Sequence, residues 1–218
     1  WKFWKTGKNE IYAYNKRNEW NVEHKNKLLM LSIISFILIL IFAIDFGLNQ
    51  LIFLAHLGVI SIIYSTPLFS GKALRSFPLI KIFLIAYVWA AMAILPLLGD
   101  GISINLQIIY IFLESFIFIL AITIPFDIRD YTRDKSLGVK TIPSVLGIIK
   151  AKYLSVFLLL LSIFVNHYVF QNSMQEVINL VLTLLFVPIL FNSKKNHGEY
   201  YYLGLIDGML ILRLIAFI

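Results

Sequence analysis

Seven long stretches almost free of charge leave this 218-residue chain few ways to fold. They run over roughly residues 28–46, 50–67, 79–98, 102–126, 149–170, 176–192 and 200–218. A bilayer core of about 30 Å is crossed by about 20 apolar residues in a helix. Lipid satisfies no backbone polar group, so a spanning segment must be a helix or a strand of a closed barrel. Barrel strands are short and alternate apolar with polar residues, and these runs do neither. The pattern predicts an all-α, polytopic transmembrane bundle of about seven helices. Pro67, Pro96, Pro125 and Pro188 fall near the ends of the runs, where helices tolerate them.

The remaining composition narrows the function classes. The net charge of +7 would suit a nucleic-acid partner, but the lysines and arginines lie in the loops between apolar runs, where membrane topology accounts for them. A nucleic-acid partner is excluded on that ground. With no cysteine, thiolate nucleophiles, disulfides and sulfur-ligated metals are excluded too. The four histidines, His24, His56, His167 and His197, lack metal-ligand spacing, and His56 in an apolar run is expected to be buried and hydrogen-bonded. Residues 1–27 interleave basic residues with Trp1, Trp4, Tyr12, Tyr14 and Trp20, the mixture favoured at the headgroup zone. They are read as an interfacial segment leading into a single transmembrane domain, 28–218. The chain opens on Trp1 with nothing like a signal peptide, and more sequence is expected upstream.

Assigning the loops alternately to two sides places 18 of the 19 Lys and Arg residues on one side, and none in the loops of the other. Only Arg213, inside the last run, is left over. The basic side is expected to be cytoplasmic, in the cell inner membrane, with the charged stretch 126–147 on it.

That stretch carries the chemistry. Asp127, Asp130 and Asp134 stand at i, i+3 and i+7, which on a helix puts three carboxylates on one face. Such a set needs cations, and hard oxygen ligands suit Mg²⁺, which keeps waters and completes its shell with phosphate oxygens. Arg129, Arg133, Lys135 and Lys140 supply charge-assisted hydrogen bonds for the same phosphates. Gly138 permits a turn, Thr141 is placed to cap the next helix with Pro143 in its first turn, and that helix start adds partial positive charge. Together they describe a metal–diphosphate site at the mouth of an apolar bundle. Within the membrane runs, Glu114 is expected either to meet a substrate or to bridge helices. Asp207 and Arg213, six residues apart, are expected to pair with other helices rather than with each other.

The series from Asp127 through Asp130, Asp134, Gly138, Thr141, Pro143 and Gly147 resembles the second aspartate-rich motif of UbiA-type membrane prenyltransferases. Tyr64-Ser65-Thr66-Pro67, and Lys81 through Trp89-Ala90, agree in order and spacing. The resemblance implies a nine-helix bundle of which this chain holds the third through ninth helices. It implies an Mg²⁺-dependent transfer of an isoprenyl group from a polyprenyl diphosphate to a lipophilic or aromatic acceptor. By the same resemblance Asp127, Asp130 and Asp134 are catalytic metal ligands, and Tyr64, Lys72, Arg75 and Lys81 lie near the diphosphate. Tyr64, Trp89 and Phe126 are candidate rings around a developing allylic cation.

One departure stands out. The family's first motif, an asparagine followed at four-residue intervals by two aspartates, is not found. Asn15, Glu19 and Glu23 repeat the spacing with glutamates. Three readings stand: those residues substitute for the motif, the motif lies upstream of Trp1, or the chain is a non-catalytic binding or scaffold protein of the same fold.

Overall fold

The computed structural model describes residues 16–66, 74, 77, 79–99, 104–136, 138–169, 173–194, 197–198 and 200–214. Every regular element among the described residues is helical. In chain order they are α1 (Lys16–Glu23), α2 (Lys25–Phe42), α3 (Leu48–Ser65), α4 (Ile80–Ile94), α5 (Leu106–Ser136), α6 (Ile142–Leu146), α7 (Ile148–Asn166) and α8 (Ser173–Phe191). A π-helical turn, Tyr201–Ile206, then leads into α9 (Gly208–Leu214). Six of these helices, α2, α3, α4, α5, α7 and α8, are long and apolar enough to cross a membrane. The seventh apolar run is helical in two pieces, the π turn and α9.

The organising element is α5, and it corrects the sequence-based boundary at 126. Its 31 residues form one helix from the apolar run through the aspartates to Ser136. At 1.5 Å per residue it is about 45 Å long, more than the bilayer core requires, so the acidic residues ride on its last turns. It packs most extensively against α7 and α4. Small residues line both seams: Ala86, Ala90 and Ala91 on α4, Ala121 on α5, and Ala151 and Ser155 on α7 are all fully buried. Between helices in lipid the hydrophobic effect gives little drive, and close backbone approach over small side chains supplies the packing instead. Phe118, Leu159, Phe186, Leu190, Tyr202 and Met209 fill the core around these seams. In contrast, α2 has no buried residue.

Pro125 lies inside α5, four residues past Ala121. Lacking an N–H, it cannot donate to the Ala121 carbonyl. The hydroxyl of Ser155, from α7, donates to that carbonyl at 2.7 Å. The break in the helix ladder is thereby closed by the neighbouring helix, one to two turns before Asp127.

At its far end α5 stops in a Schellman closure. Val139 N–H donates to Asp134 O at 2.8 Å and Gly138 N–H to Lys135 O at 3.2 Å, with Gly138 at φ 68°. A second glycine, Gly147 at φ 85° and ψ 156°, separates the short α6 from α7 in a conformation that only glycine adopts readily. These two positions set the path of the chain around the acidic helix end.

Other polar residues stitch the helices. At the end opposite the aspartates, Gln50 of α3 accepts from Gly47 N–H at 3.0 Å and donates to Leu95 O at 3.2 Å, tying the start of α3 to the end of α4. His56 meets the Tyr87 hydroxyl at 3.0 Å, so it is hydrogen-bonded as expected, although exposed rather than buried. Glu114 pairs with Arg213 of α9, both buried, and the Arg213 guanidinium lies 4.1 Å from the Phe118 ring centroid. Glu114 thus bridges helices, and Arg213 pairs across helices rather than with Asp207.

Two substitutions test this account. Ser155→Ala leaves the Ala121 carbonyl without its donor and is expected to lower stability by about 1 kcal/mol in denaturant titrations of the micelle-embedded protein. Gly138→Ala meets no atom within 4 Å, so its expected cost of about 1 kcal/mol comes from the left-handed backbone alone. Gly138→Asn, more tolerant of that conformation, should recover part of it in the same titration.

Candidate functional site

The acidic turns of α5 are built from alternating carboxylates and cations. Asp127 is 2% exposed, and its Oδ1 accepts a hydrogen bond from Lys81 Nζ of α4 at 3.3 Å. A buried carboxylate needs such a partner. Asp130 and Asp134 lie near enough to act on the charge of Asp127, as the i, i+3, i+7 spacing requires. Asp134 is 6% exposed, and its main-chain carbonyl is the acceptor of the Schellman bond.

Asp130 is gripped by Arg129, whose Nε donates to Oδ1 at 3.1 Å and whose Nη2 donates to Oδ2 at 3.4 Å. The guanidinium is itself clasped by two rings, its carbon 5.2 Å from the Phe126 centroid and 5.3 Å from that of Tyr202. The rings stand 5.6 Å apart, so the three groups form a near-equilateral triangle. Tyr202 is fully buried and its hydroxyl donates to Lys194 O at 2.7 Å. Asp207, on the next turn, is close enough to feel the charge of Arg129.

The start of α4 is tied to the far side of the acidic turns. Leu79 N–H donates to Lys140 O at 3.2 Å, and Leu79 takes the left-handed conformation at φ 61°, costly for a leucine. That strained residue sits two positions before Lys81, at the entry to the helix that delivers the lysine to Asp127.

Of the sequence-predicted site residues, the structure brings Lys81, Asp127, Arg129 and Asp130 into direct pairs and sets Asp134 one turn on. Lys135 and Lys140 are exposed at the mouth, with Lys135 Nζ 5.8 Å from the Tyr131 ring centroid. Tyr64 is half-buried near the end of α3, on the side of the membrane where α4 begins. Lys72 and Arg75 lie outside the described residues, as does the side chain of Arg133. Trp89 is corrected: at 55% exposure it faces outward from the bundle. Phe126 is placed at the site, but with its ring on Arg129. Asn15 lies outside the described residues, and Glu23 is exposed.

The helix after the turn begins where expected. Thr141 stands at its N-cap and Pro143 in its first turn, but the cap is closed by Ser144, whose Oγ accepts from Thr141 N–H at 2.7 Å. The buried Thr141 hydroxyl makes no hydrogen bond. At five residues α6 carries little dipole toward the aspartates. Sequence reasoning missed Tyr202 and Ser155. Pro125 was the available signal for Ser155, since it frees a carbonyl four residues back, whereas nothing local singled out Tyr202 among three consecutive tyrosines.

Among the described residues no three acidic or imidazole side chains come together closely enough to hold a metal ion alone. What the acidic turns offer is one or two hard oxygens per carboxylate, with a shared ligand completing the shell. An open apolar groove of about 550 Å³ runs along α4, lined by Leu79, Ile80, Phe83, Leu84, Tyr87 and Phe116.

Comparison with curated proteins and with solved structures gives no match. A family profile described as the UbiA prenyltransferase family matches residues 24–197, from just before α2 to beyond α8. With six apolar helices and an acidic helix end arranged as above, and with this match over most of its length, the chain belongs to the UbiA prenyltransferase family.

Proposed function

We propose that the acidic end of α5 binds the diphosphate of an isoprenyl donor together with Mg²⁺, and that the chain transfers the isoprenyl group to a lipophilic or aromatic acceptor. Family membership supports prenyltransferase-type function with isoprenyl-type substrates in a multi-pass membrane protein. The observation that carries the finer reading is the pairing of Asp127 with Lys81 and of Asp130 with Arg129. Carboxylates and cations held side by side can part to take a metal and a polyanion, each finding its opposite charge.

The residues fit such a group. Asp127, Asp130 and Asp134 would hold Mg²⁺ as oxygen donors, with phosphate and water in its other positions. The bound ion supplies positive charge against which the diphosphate departs. Lys81 and Arg129 hold phosphate oxygens in place, and Lys135 and Lys140 draw the polyanion to the mouth. The groove from Leu79 to Tyr87 offers an apolar surface for the isoprenyl chain. In the transfer, the allylic C–O bond breaks and its electron pair leaves with the diphosphate. An electron pair of the acceptor then closes on the carbon, and the acceptor sheds a proton. The aspartates are proposed to lie on the cytoplasmic side of the inner membrane, where the basic loops gather.

The ion pairs themselves favour one other reading. Lys81–Asp127 and Arg129–Asp130 would equally hold helices together in a non-catalytic member that binds or scaffolds. Equilibrium binding of an isoprenyl diphosphate to the purified chain, with and without Mg²⁺, separates the two. The enzyme reading expects Mg²⁺-dependent binding that weakens at least about a hundredfold in Asp130→Asn or Asp134→Asn, with unfolding midpoints unchanged. Folded wild-type protein that binds nothing would leave the scaffold reading. A reporter fused after Lys195 is expected to be cytoplasmic, and finding it on the other side would overturn the orientation.

A further inference from the structure

The last helical segment offers no residue to the aspartate motif, yet one of its side chains touches the motif's arginine. We propose that Tyr202 is a positioning residue for the diphosphate site, acting through Arg129. The proposal rests on the donor-site reading above.

Three observations carry it. First, the guanidinium of Arg129 is held in two directions, by the Asp130 carboxylate and by the Phe126 and Tyr202 rings. Arginine has a long, rotamer-rich side chain, and a guanidinium against ring faces is both attracted and confined. Phe126 and Asp130 belong to α5 itself, so the Tyr202 ring ties Arg129 to another element, where Asp207 also lies close enough to feel its charge. Second, Tyr202 is fixed at its far end as well, since its hydroxyl donates to Lys194 O and its ring is fully buried. Third, the backbone here is a π turn, with Asp207 N–H bonded to Tyr202 O at 3.0 Å. Two successive tyrosines point inward from it, Tyr201 donating to Ile189 O and Tyr202 to Lys194 O. Such turns recur at functional sites. At the other end of the segment Arg213 is anchored to Glu114 and Phe118 of α5. The segment is therefore pinned to α5 at two levels, and the upper pin is the one that sets Arg129.

The test uses the whole purified chain, Mg²⁺ and inorganic diphosphate, reading affinity alongside the unfolding midpoint. Tyr202→Leu removes the ring face and is expected to weaken binding about fivefold to tenfold. Tyr202→Phe keeps the ring and loses only the bond to Lys194, and is expected to bind within about twofold of wild type. In an Arg129→Gln background, Tyr202→Leu is expected to have no further effect. Wild-type affinity in Tyr202→Leu, or an equal loss in the Arg129→Gln background, would show that Tyr202 only packs, and would overturn the proposal. Should Tyr202→Leu not fold, Phe126→Leu removes the opposite ring; a loss there that vanishes in the Arg129→Gln background supports the clasp, and unchanged binding refutes it. If the wild-type chain binds no diphosphate at all, the donor-site reading falls and takes this inference with it, an outcome distinct from binding that ignores Tyr202.

Discussion

Lipid offers a backbone carbonyl no partner, and a proline inside a membrane helix leaves one carbonyl wanting. In α5 that carbonyl belongs to Ala121, and the Ser155 hydroxyl reaches it from α7. The bond is possible because Ala151 and Ser155 let the two backbones come close. Everything beyond it depends on the repair: α5 passes Pro125 and continues for more than two turns, carrying Asp127, Asp130 and Asp134 out of the apolar core on a single helix. The position of the acidic face is therefore set inside the membrane, by a serine and an alanine.

The electrostatics of that face follow from its location. Asp127 is buried where an unpaired carboxylate would be costly, and α4 meets it with Lys81. Delivering the lysine requires the chain to enter α4 through a left-handed leucine, Leu79, held by the Lys140 carbonyl. Asp130, less buried, is met from its own helix by Arg129, and the rings of Phe126 and Tyr202 hold that arginine in turn. Asp127 and Asp130 are thus each met by a cation whose own place is fixed by a different part of the fold.

Much of this was legible in the residues, and the limits have physical causes. Apolar run lengths located the helices, because a bilayer imposes one length scale on all of them. The aspartate spacing located the acidic face, because helical periodicity is local. The boundary at 126 was misplaced because charge beyond an apolar run reads as loop, whereas a helix can continue past the membrane edge. Trp89 looked like a cavity ring because an aromatic residue in an apolar run gives no sign of which face it occupies. Glu114 and Arg213 each announced the need for a partner, but their meeting joins helices distant in sequence, and no local pattern encodes it. Tyr202 was hidden for the same reason, since its value lies in a contact made only once the bundle has closed.

The Glu114–Arg213 pair has a consequence for how the molecule is made. Arg213 lies about 20 Å along its segment from Tyr200, deep in the apolar layer, and an arginine there costs about 3 kcal/mol to insert alone. This segment follows α5 in the chain and emerges from the ribosome after it, when Glu114 is already in place. Its entry is thus conditional: the charge is admitted where its counter-ion is waiting. The membrane thus accepts α9 readily only if α5 has already been inserted in the right orientation, which makes the entry of α9 a check on that earlier step.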